Sequence, residues 1–328
     1  MVGFRPLTEI AHFLLALEEL AAAVGVPAAQ QFVAVVQQGD AAAPDARRAA
    51  LQGVFAGLMK ADPPTVAALV GRLAARLAAN DPQAAAAVPA PVAQLFARLH
   101  AQYPGDVGCL CVFLLNYVQL QPGQAIFLAA GLPHAYVAGE CVECMAASDN
   151  VVRAGLTPKH RDVDTLLEIL SWASGPPHEF VLEPLAVPPA GPPSPTLSPV
   201  KGQTLAMTMT KAQPTQRITS HLYCPPLDTV PEFQVMRTAL LPGEFLGWSA
   251  PVNGPSVLLV TAGAGTLRMA VGQGYEAGPL QLVEGDAYFI GADTSVAISA
   301  NADSPRGLEV FRAFCPGSAA SITLDAKR

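Results

Sequence analysis

The sequence has few basic residues, few cysteines and no long apolar run, and each shortage excludes a class of protein. Its 328 residues include 19 lysines and arginines against 26 aspartates and glutamates, a formal net charge of −7. Binding along a nucleic-acid backbone needs clustered lysine and arginine, and no basic stripe occurs. We therefore expect no nucleic-acid partner, although a local basic pocket for a small phosphate ester is compatible with this charge.

The cysteines are too sparse for a disulfide framework in a chain of this length. They stand at positions 109, 111, 141, 144, 224 and 315. We expect reduced, mostly buried thiols and a cytoplasmic protein. Cys141 and Cys144 have the spacing of a redox or zinc pair, but no second pair accompanies them. Strand alternation would direct the two thiols to opposite faces, so we predict an inert, packed role.

The apolar residues do not form a membrane span. Alanine supplies much of the positive mean hydropathy of +0.35. The longest strongly apolar stretch, Val107 to Leu120, contains Asn116 and Gln119 and is too short to cross a bilayer. We interpret it as one or two buried strands, and we expect neither a membrane partner nor a secretory signal.

Helical periodicity dominates the first third of the chain. From Leu7 to about Gln102, apolar residues recur at the i, i+3, i+4 and i+7 positions of one buried helix face. Asp-Pro pairs at Asp62 and Asp81 are typical of helix starts. We predict a helical domain over residues 1–102.

The rest of the chain has the pattern of a β protein. Short β-like runs separated by Pro-Gly and Gly predict strands, with one helix from Asp164 to Trp172. Gly263 to Gly265 are interpreted as a tight turn between two of the strands. Evenly spaced short strands are typical of barrels or jelly rolls. We predict β domains over residues 103–182 and 218–328, joined by a proline-rich linker over residues 183–217.

One segment after residue 121 concentrates chemically versatile side chains. A Gly-x-Pro turn places His134 at the start of a predicted strand, where Tyr136 would face the same way. A second run, Glu140 to Met145, would carry a carboxylate, and a polar loop follows it. The candidate site residues are His134, Tyr136, Glu143, Asp149, Arg153 and Lys159. Imidazole, phenol, carboxylate, guanidinium and ammonium groups in one region suit an anionic, oxygen-rich ligand.

The run PHAYVAGECVECMAASDNVVRAGLTPKHRDV, which begins at residue 133, resembles the signature of type I phosphomannose isomerases. The upstream run PGDVGCLCVFLLNYVQLQPGQAIFL and the segment from Gly3 to Pro6 are also similar to that family. The resemblance covers nearly the whole chain. It implies a mainly β fold with an α-helical domain, in which cupin-type jelly-roll barrels carry a helical insertion; residues 103–182 would belong to the catalytic cupin domain.

The resemblance also implies an activity. The family interconverts mannose 6-phosphate and fructose 6-phosphate through an enediolate and supplies mannose for GDP-mannose synthesis, with one Zn²⁺ per enzyme. Carried over by position, His134 would be a zinc ligand, Arg153 the catalytic arginine and Lys159 a substrate-binding residue. The remaining candidates, which would line the pocket, are Tyr136, Glu143 and Asp149. The implied partner is a sugar phosphate, and the implied oligomeric state is a monomer.

The family's other zinc ligands precede its helical insertion, which is where this sequence begins. The sequence has no His-x-His or Gln-x-His pair, and a catalytic zinc needs about three protein ligands. We expect an N-terminally truncated isomerase with an incomplete zinc site and little activity by itself. One alternative is a catalytically silent cupin that binds a sugar phosphate or a protein partner. A cupin oxygenase is another, but it needs clustered histidines for iron.

Overall fold

The structure is a computed structural model that describes residues 1–148, 151–187, 219–226, 230–247, 249, 251–271 and 275–316. The chain forms two compact units. The first comprises Met1–Gln121, Ile126–Gly139 and Ser148–Val181, and the second comprises Pro122–Ala125, Glu140–Ala147 and Leu182–Arg328. The predicted proline-rich linker falls mostly outside the described residues, and the four-part division stays a prediction.

The first unit is mostly helical, as predicted. Its elements are β1 (Val2–Phe4), α1 (Leu7–Ala16), α2 (Glu18–Val24), α3 (Val26–Gln37), α4 (Pro44–Met59), α5 (Pro63–Ala78), α6 (Pro82–Ala87), α7 (Ala90–Gln102), β2 (Leu115–Asn116) and α8 (Val163–Ile169). The Asp-Pro starts are confirmed: Asp62 accepts a hydrogen bond from the Thr65 amide at 3.0 Å, and Asp81 accepts one from the Ala84 amide at 2.9 Å. Each carboxylate thus satisfies a free N–H of a first helical turn.

The short strand β1 runs into the core of this unit. Its Phe4 ring stacks on Trp172 with 5.5 Å between centroids and meets Phe55 edge-on at 5.3 Å. The buried Asn116 side chain donates hydrogen bonds to the carbonyls of Phe4 at 3.1 Å and of Gly175 at 3.0 Å. Aromatic packing and these buried hydrogen bonds therefore tie β1 to the surrounding chain.

A buried ion cluster joins α2 to α5. Glu19 is fully buried, and its carboxylate accepts hydrogen bonds from Arg76 Nη1 at 2.9 Å and Arg72 Nε at 3.1 Å. Arg76 also donates to Asp81 at 2.8 Å. A buried carboxylate is tolerated because its charge is paired and its oxygens are hydrogen-bonded.

The prediction of strands across Val107 to Leu120 is largely wrong. Residues Val107–Phe113 form a 3-10 helix with every residue buried, and only the two-residue strand Leu115–Asn116 follows it. A fully apolar run has no periodicity with which to separate a strand from a buried helical segment. The burial of Cys111 is confirmed, and desolvation raises the pKa of its thiol to about 12.

Two further predictions in this region need correction. The predicted strand Glu140 to Met145 has no regular secondary structure, so strand alternation does not separate Cys141 from Cys144. Cys141 is exposed rather than packed, and the expectation of mostly buried thiols is wrong, because only Cys109 and Cys111 of the six cysteines are buried. The predicted helix ends at Ile169 rather than Trp172.

None of the described helices is by itself long and apolar enough to cross a membrane. The consecutive helices α2 and α3 meet the length and composition criteria only when they are joined across their 106° bend.

The second unit is an antiparallel β structure. The remaining described strands are β3 (Ala125–Ile126) and β4 (Val181–Leu182), each of which has one residue in either unit, and then β5 (Leu185–Val187), β6 (Ser220–Tyr223), β7 (Gln234–Leu240), β8 (Phe245–Leu246), β9 (Ser256–Val271), β10 (Tyr275–Val283), β11 (Ala287–Ile290), β12 (Thr294–Ala300) and β13 (Leu308–Phe314). In the described sheet, the strand order is β5-β6-β7-β13-β9-β12-β8, and β10 and β11 also pair with β9. The sheet curls around an apolar core as a half-barrel.

The long strand β9 replaces the predicted turn at Gly263 to Gly265. Its first half pairs with β13 and β11, and its second half pairs with β12 and β10. Gly263 has φ +78°, and a Cβ placed there would lie 1.8 Å from the Gly307 carbonyl oxygen. Glycine is therefore needed at this position of the strand, because its φ is positive and the close backbone contact leaves no room for a side chain.

Candidate active site

His134 lies in a segment whose backbone is bonded to β1. Gly3 N donates to the Pro133 carbonyl at 2.9 Å, Ala135 N donates to the Met1 carbonyl at 2.9 Å, and an isolated β-bridge joins Val2 to His134. Side chains alternate along this segment: Ala135 and Val137 pack against the core, while His134 is exposed. The extended backbone thus presents the imidazole outward.

The orientation of this imidazole is set by its own turn. His134 Nδ1 lies 2.9 Å from the Leu132 carbonyl oxygen, so Nδ1 carries the proton and donates it. The Nε2 atom is then left with a lone pair. A carbonyl that fixes the tautomer in this way is typical of a histidine that ligates a metal through its other nitrogen.

Tyr136 shares the exposed face with His134. The two rings meet edge-on with 5.9 Å between centroids, and Tyr136 is 57% exposed. The phenol therefore lies beside the imidazole, as the predicted alternation requires.

Arg153 and Lys159 lie in a loop of the same unit, and Asp106 anchors that loop. One carboxylate oxygen, Asp106 Oδ1, accepts hydrogen bonds from the Leu156 amide at 2.8 Å and from the Gly108 amide at 2.7 Å. Leu156 adopts φ +55°, a left-handed conformation that is uncommon for leucine. The anchor therefore holds the loop in a backbone conformation that it would otherwise avoid.

Two glycines allow the loop to lie against the 3-10 helix. A Cβ on Gly155 would lie 2.9 Å from Asp106 Oδ1, and one on Gly108 would lie 2.6 Å from the Leu156 side chain. On the loop itself, Arg153 is half-buried and Lys159 is exposed. Among the described residues, neither side chain forms an ion pair.

The other two candidates are Glu143 and Asp149. Glu143 is exposed and belongs to the segment Glu140–Ala147, which is grouped with the second unit. Asp149 lies outside the described residues. The structure therefore brings together His134 with Tyr136, and Arg153 with Lys159 on one anchored loop.

The described residues do not assemble a complete zinc site. No group of three or more His, Cys, Asp or Glu side chains in the described part of the chain could hold a metal ion. His134 fits the role of a single ligand, because its Nε2 lone pair is exposed. A catalytic zinc needs about two further protein ligands.

The sequence reasoning did not single out Asp106 as a site residue. The motif Asp-x-Gly directly after a predicted helix could have identified it, because this motif is typical of a carboxylate that caps the next turn through backbone amides. The hydrogen bond that Asp106 accepts from Leu156, 50 positions away in sequence, could not be inferred from the local sequence.

A helical unit and a curled antiparallel half-barrel define a cupin-type protein with a helical insertion. Residues 23–115 match the family model described as phosphomannose isomerase type I, helical insertion domain. The chain is 36% identical to mannose-6-phosphate isomerase of Aspergillus fumigatus, over 96% of this chain and 66% of the relative. Identity to the Homo sapiens enzyme is 35%, over 96% of this chain and 65% of the relative. The chain belongs to the type I phosphomannose isomerase family.

Solved structures confirm the fold class. A variant of phosphomannose isomerase from Salmonella typhimurium has a TM-score of 0.65 at 23% identity, over 97% of this chain and 65% of that chain. A mannose 6-phosphate isomerase bound with zinc and yttrium has a TM-score of 0.63, also at 23% identity, over 96% of this chain and 63% of that chain. The chain thus spans just under two thirds of the length of these relatives.

Proposed function

We propose that this chain binds mannose 6-phosphate and contributes to its interconversion with fructose 6-phosphate. Membership of the isomerase family supports this reaction. The hydrogen bond that Asp106 forms with the loop supports Arg153 and Lys159 as the residues that contact the substrate. That anchor fixes the loop that bears Arg153 and Lys159, two cations suited to a phosphorylated sugar.

The reaction moves a proton between C1 and C2 of the sugar and develops negative charge on the adjacent oxygen. Arg153 stabilises that charge, because a guanidinium stays protonated at any physiological pH and presents several fixed donors. Lys159 binds the substrate, and its exposed ammonium suits the phosphate dianion. A group of tuned pKa must carry the proton; Tyr136 and Glu143 are the candidates of this chain, and Asp149 is a further pocket residue.

We further propose His134 as one ligand of a Zn²⁺ ion, which supplies electrostatic stabilisation of the developing oxyanion when it is bound. The described residues do not complete its coordination, so no step is assigned to the metal here. A small-molecule sugar phosphate as the partner, a monomeric state and a cytoplasmic location are proposed with the function.

Binding and turnover are tested separately on the full chain. Calorimetric titration with mannose 6-phosphate measures affinity, and a coupled assay for fructose 6-phosphate with zinc supplied measures turnover. Loss of a charge-assisted contact costs about 1.5–3 kcal/mol, so Arg153→Ala and Lys159→Ala should each weaken binding by roughly 10- to 100-fold. Any turnover should be abolished by Arg153→Ala.

Matched controls separate local from general charge effects. Arg98→Ala removes an exposed arginine of α7, and Lys60→Ala removes a lysine paired with Asp164 at 2.7 Å. Both should leave affinity unchanged. A folded chain that does not bind mannose 6-phosphate, or that loses affinity equally in Arg98→Ala and Arg153→Ala, would contradict the proposal. Binding without turnover would favour the silent sugar-phosphate-binding alternative.

A further inference from the structure

The second unit buries an arginine in the middle of its sheet. Arg312 on β13 is 2% exposed and shares the buried face of that strand with Leu308 and Val310. Its Nε atom donates to Ser256 Oγ at 2.9 Å. Its two terminal nitrogens, Nη1 and Nη2, are buried without a hydrogen-bond partner.

A buried glutamine lies on the same face. Gln234 on β7 is 0% exposed, and its amide nitrogen and oxygen are both buried without a hydrogen-bond partner. Arg312 pairs with Met236 across the ladder, and Phe314 pairs with Gln234. Because alternate residues of a strand share a face, Gln234 and Arg312 are diagonal neighbours on that face.

Ser256 completes the polar patch. It lies opposite Phe314 on the other side of β13 and is buried. The Arg312 guanidinium bonds to it and is thereby directed toward the row that holds Gln234 and Ser256. At the other end of the same strands, Leu240 and Leu308 belong to the apolar core. The buried face is thus apolar at one end and polar at the other.

Four buried polar atoms without partners are costly. A buried donor or acceptor that lacks a hydrogen bond loses its solvation without compensation, and a buried charge without a counter-charge costs more. Among the described residues, no carboxylate forms an ion pair with Arg312. Desolvation lowers the pKa of Arg312 to about 10, which leaves the guanidinium protonated near neutral pH.

We propose that the polar patch of Arg312, Gln234 and Ser256 binds a small oxyanion that also carries a hydroxyl proton, such as monohydrogen phosphate. The two free Nη donors of Arg312 match two oxygens of one oxyanion. The Gln234 amide nitrogen supplies a further donor, and its Oε1 accepts the hydroxyl proton. The three residues of this patch belong to the second unit, and none of them is among the residues proposed for the isomerisation.

The probe is inorganic phosphate, titrated into the full chain carrying Arg153→Ala and Lys159→Ala, so that the proposed substrate site does not contribute. Equilibrium dialysis at constant ionic strength should show one saturable phosphate per chain. Adding Arg312→Met should weaken binding by at least 30-fold, and adding Gln234→Leu should weaken it by about tenfold. Sulfate, which has no proton for Gln234 Oε1 at neutral pH, should bind more weakly than phosphate.

Arg268→Met is the matched control. Arg268 also lies in the second unit, but it is exposed and pairs with Glu276 at 3.2 Å, so its loss should leave phosphate binding unchanged. If circular dichroism shows that Arg312→Met does not fold, Gln234→Leu carries the test with the charge retained. Absence of saturable binding, or undiminished binding in either folded variant of the patch, would overturn the proposal. Displacement of phosphate by mannose 6-phosphate would identify a sugar phosphate as an acceptable source of the oxyanion.

Discussion

The anchoring role of Asp106 leads to a prediction about both stability and ligand binding. Asp106→Ala removes one carboxylate oxygen that accepts two backbone N–H groups, at 2.7 and 2.8 Å. Hydrogen bonds to a charged group contribute about 1.5–3 kcal/mol each. The left-handed Leu156 adds strain of about 1 kcal/mol that the anchor offsets. Because the freed amides can regain water when the loop opens, we expect a net loss of about 3 kcal/mol in the free energy of unfolding.

The same substitution should release the loop that carries Arg153 and Lys159. We expect mannose 6-phosphate affinity to fall about tenfold, because the two cations must be ordered again on binding. Asp106→Asn keeps an acceptor oxygen without the charge and should recover part of both losses. Urea unfolding, calorimetry and hydrogen exchange at the Leu156 amide measure the three effects.

Asp62→Ala is the appropriate comparison, since Asp62 also caps a helical segment through one carboxylate but anchors no distant loop. It should lower stability less and leave both affinity and Leu156 exchange unchanged. Equal stability losses in Asp62→Ala and Asp106→Ala, with no change in Leu156 exchange, would refute the assignment of Asp106 as the loop anchor.

Three other results are expected. Glu19→Ala should lower the free energy of unfolding by about 2–4 kcal/mol in urea, because it removes a fully buried carboxylate that accepts charge-assisted hydrogen bonds from Arg72 and Arg76. Its exposed neighbour provides the control: Glu18→Ala should change the free energy of unfolding by under about 1 kcal/mol, and equal effects would contradict this account. The pKa of Asp81 is lowered, first by the hydrogen bond from the Ala84 amide and second by the hydrogen bond from Arg76. The stability that the Asp81 carboxylate contributes is therefore fully present above the ordinary pKa of an aspartate, and it is lost as pH falls through the lower pKa of the folded state. Acid titration of stability should show this loss, and Asp81→Asn should flatten it. Gly263→Ala should lower the thermal midpoint much more than Gly285→Ala, because both have positive φ but only the first would place a Cβ against backbone; similar shifts would mean that φ alone matters.

Much of the fold could be predicted from local sequence. The helix starts at Asp62 and Asp81 depend on a side chain and an amide three residues away, so the local sequence is sufficient to predict them. The outward direction of His134 and Tyr136 depends only on the period of an extended chain. The family signature also identified the residues proposed to bind the substrate.

The failures share a physical cause. The run from Val107 to Phe113 has no polar side chain, so only its surroundings decide that it forms a 3-10 helix rather than a strand. A glycine permits both a turn and a close approach of backbone within a strand, and the contact of Gly263 with the Gly307 carbonyl selects the second. Gly307 is distant from Gly263 in sequence, so no local pattern reveals this contact.

The sequence by itself determined the helical and β regions, the polarity of the candidate segment and the family. Only the tertiary structure decided that Asp106 hydrogen-bonds to the loop of Arg153 and that Arg312 and Gln234 share one buried face. Local preferences arise from residues a few positions apart, whereas these pairings join residues 50 or more positions apart. Such pairings depend on how buried polar groups are satisfied once the chain is folded.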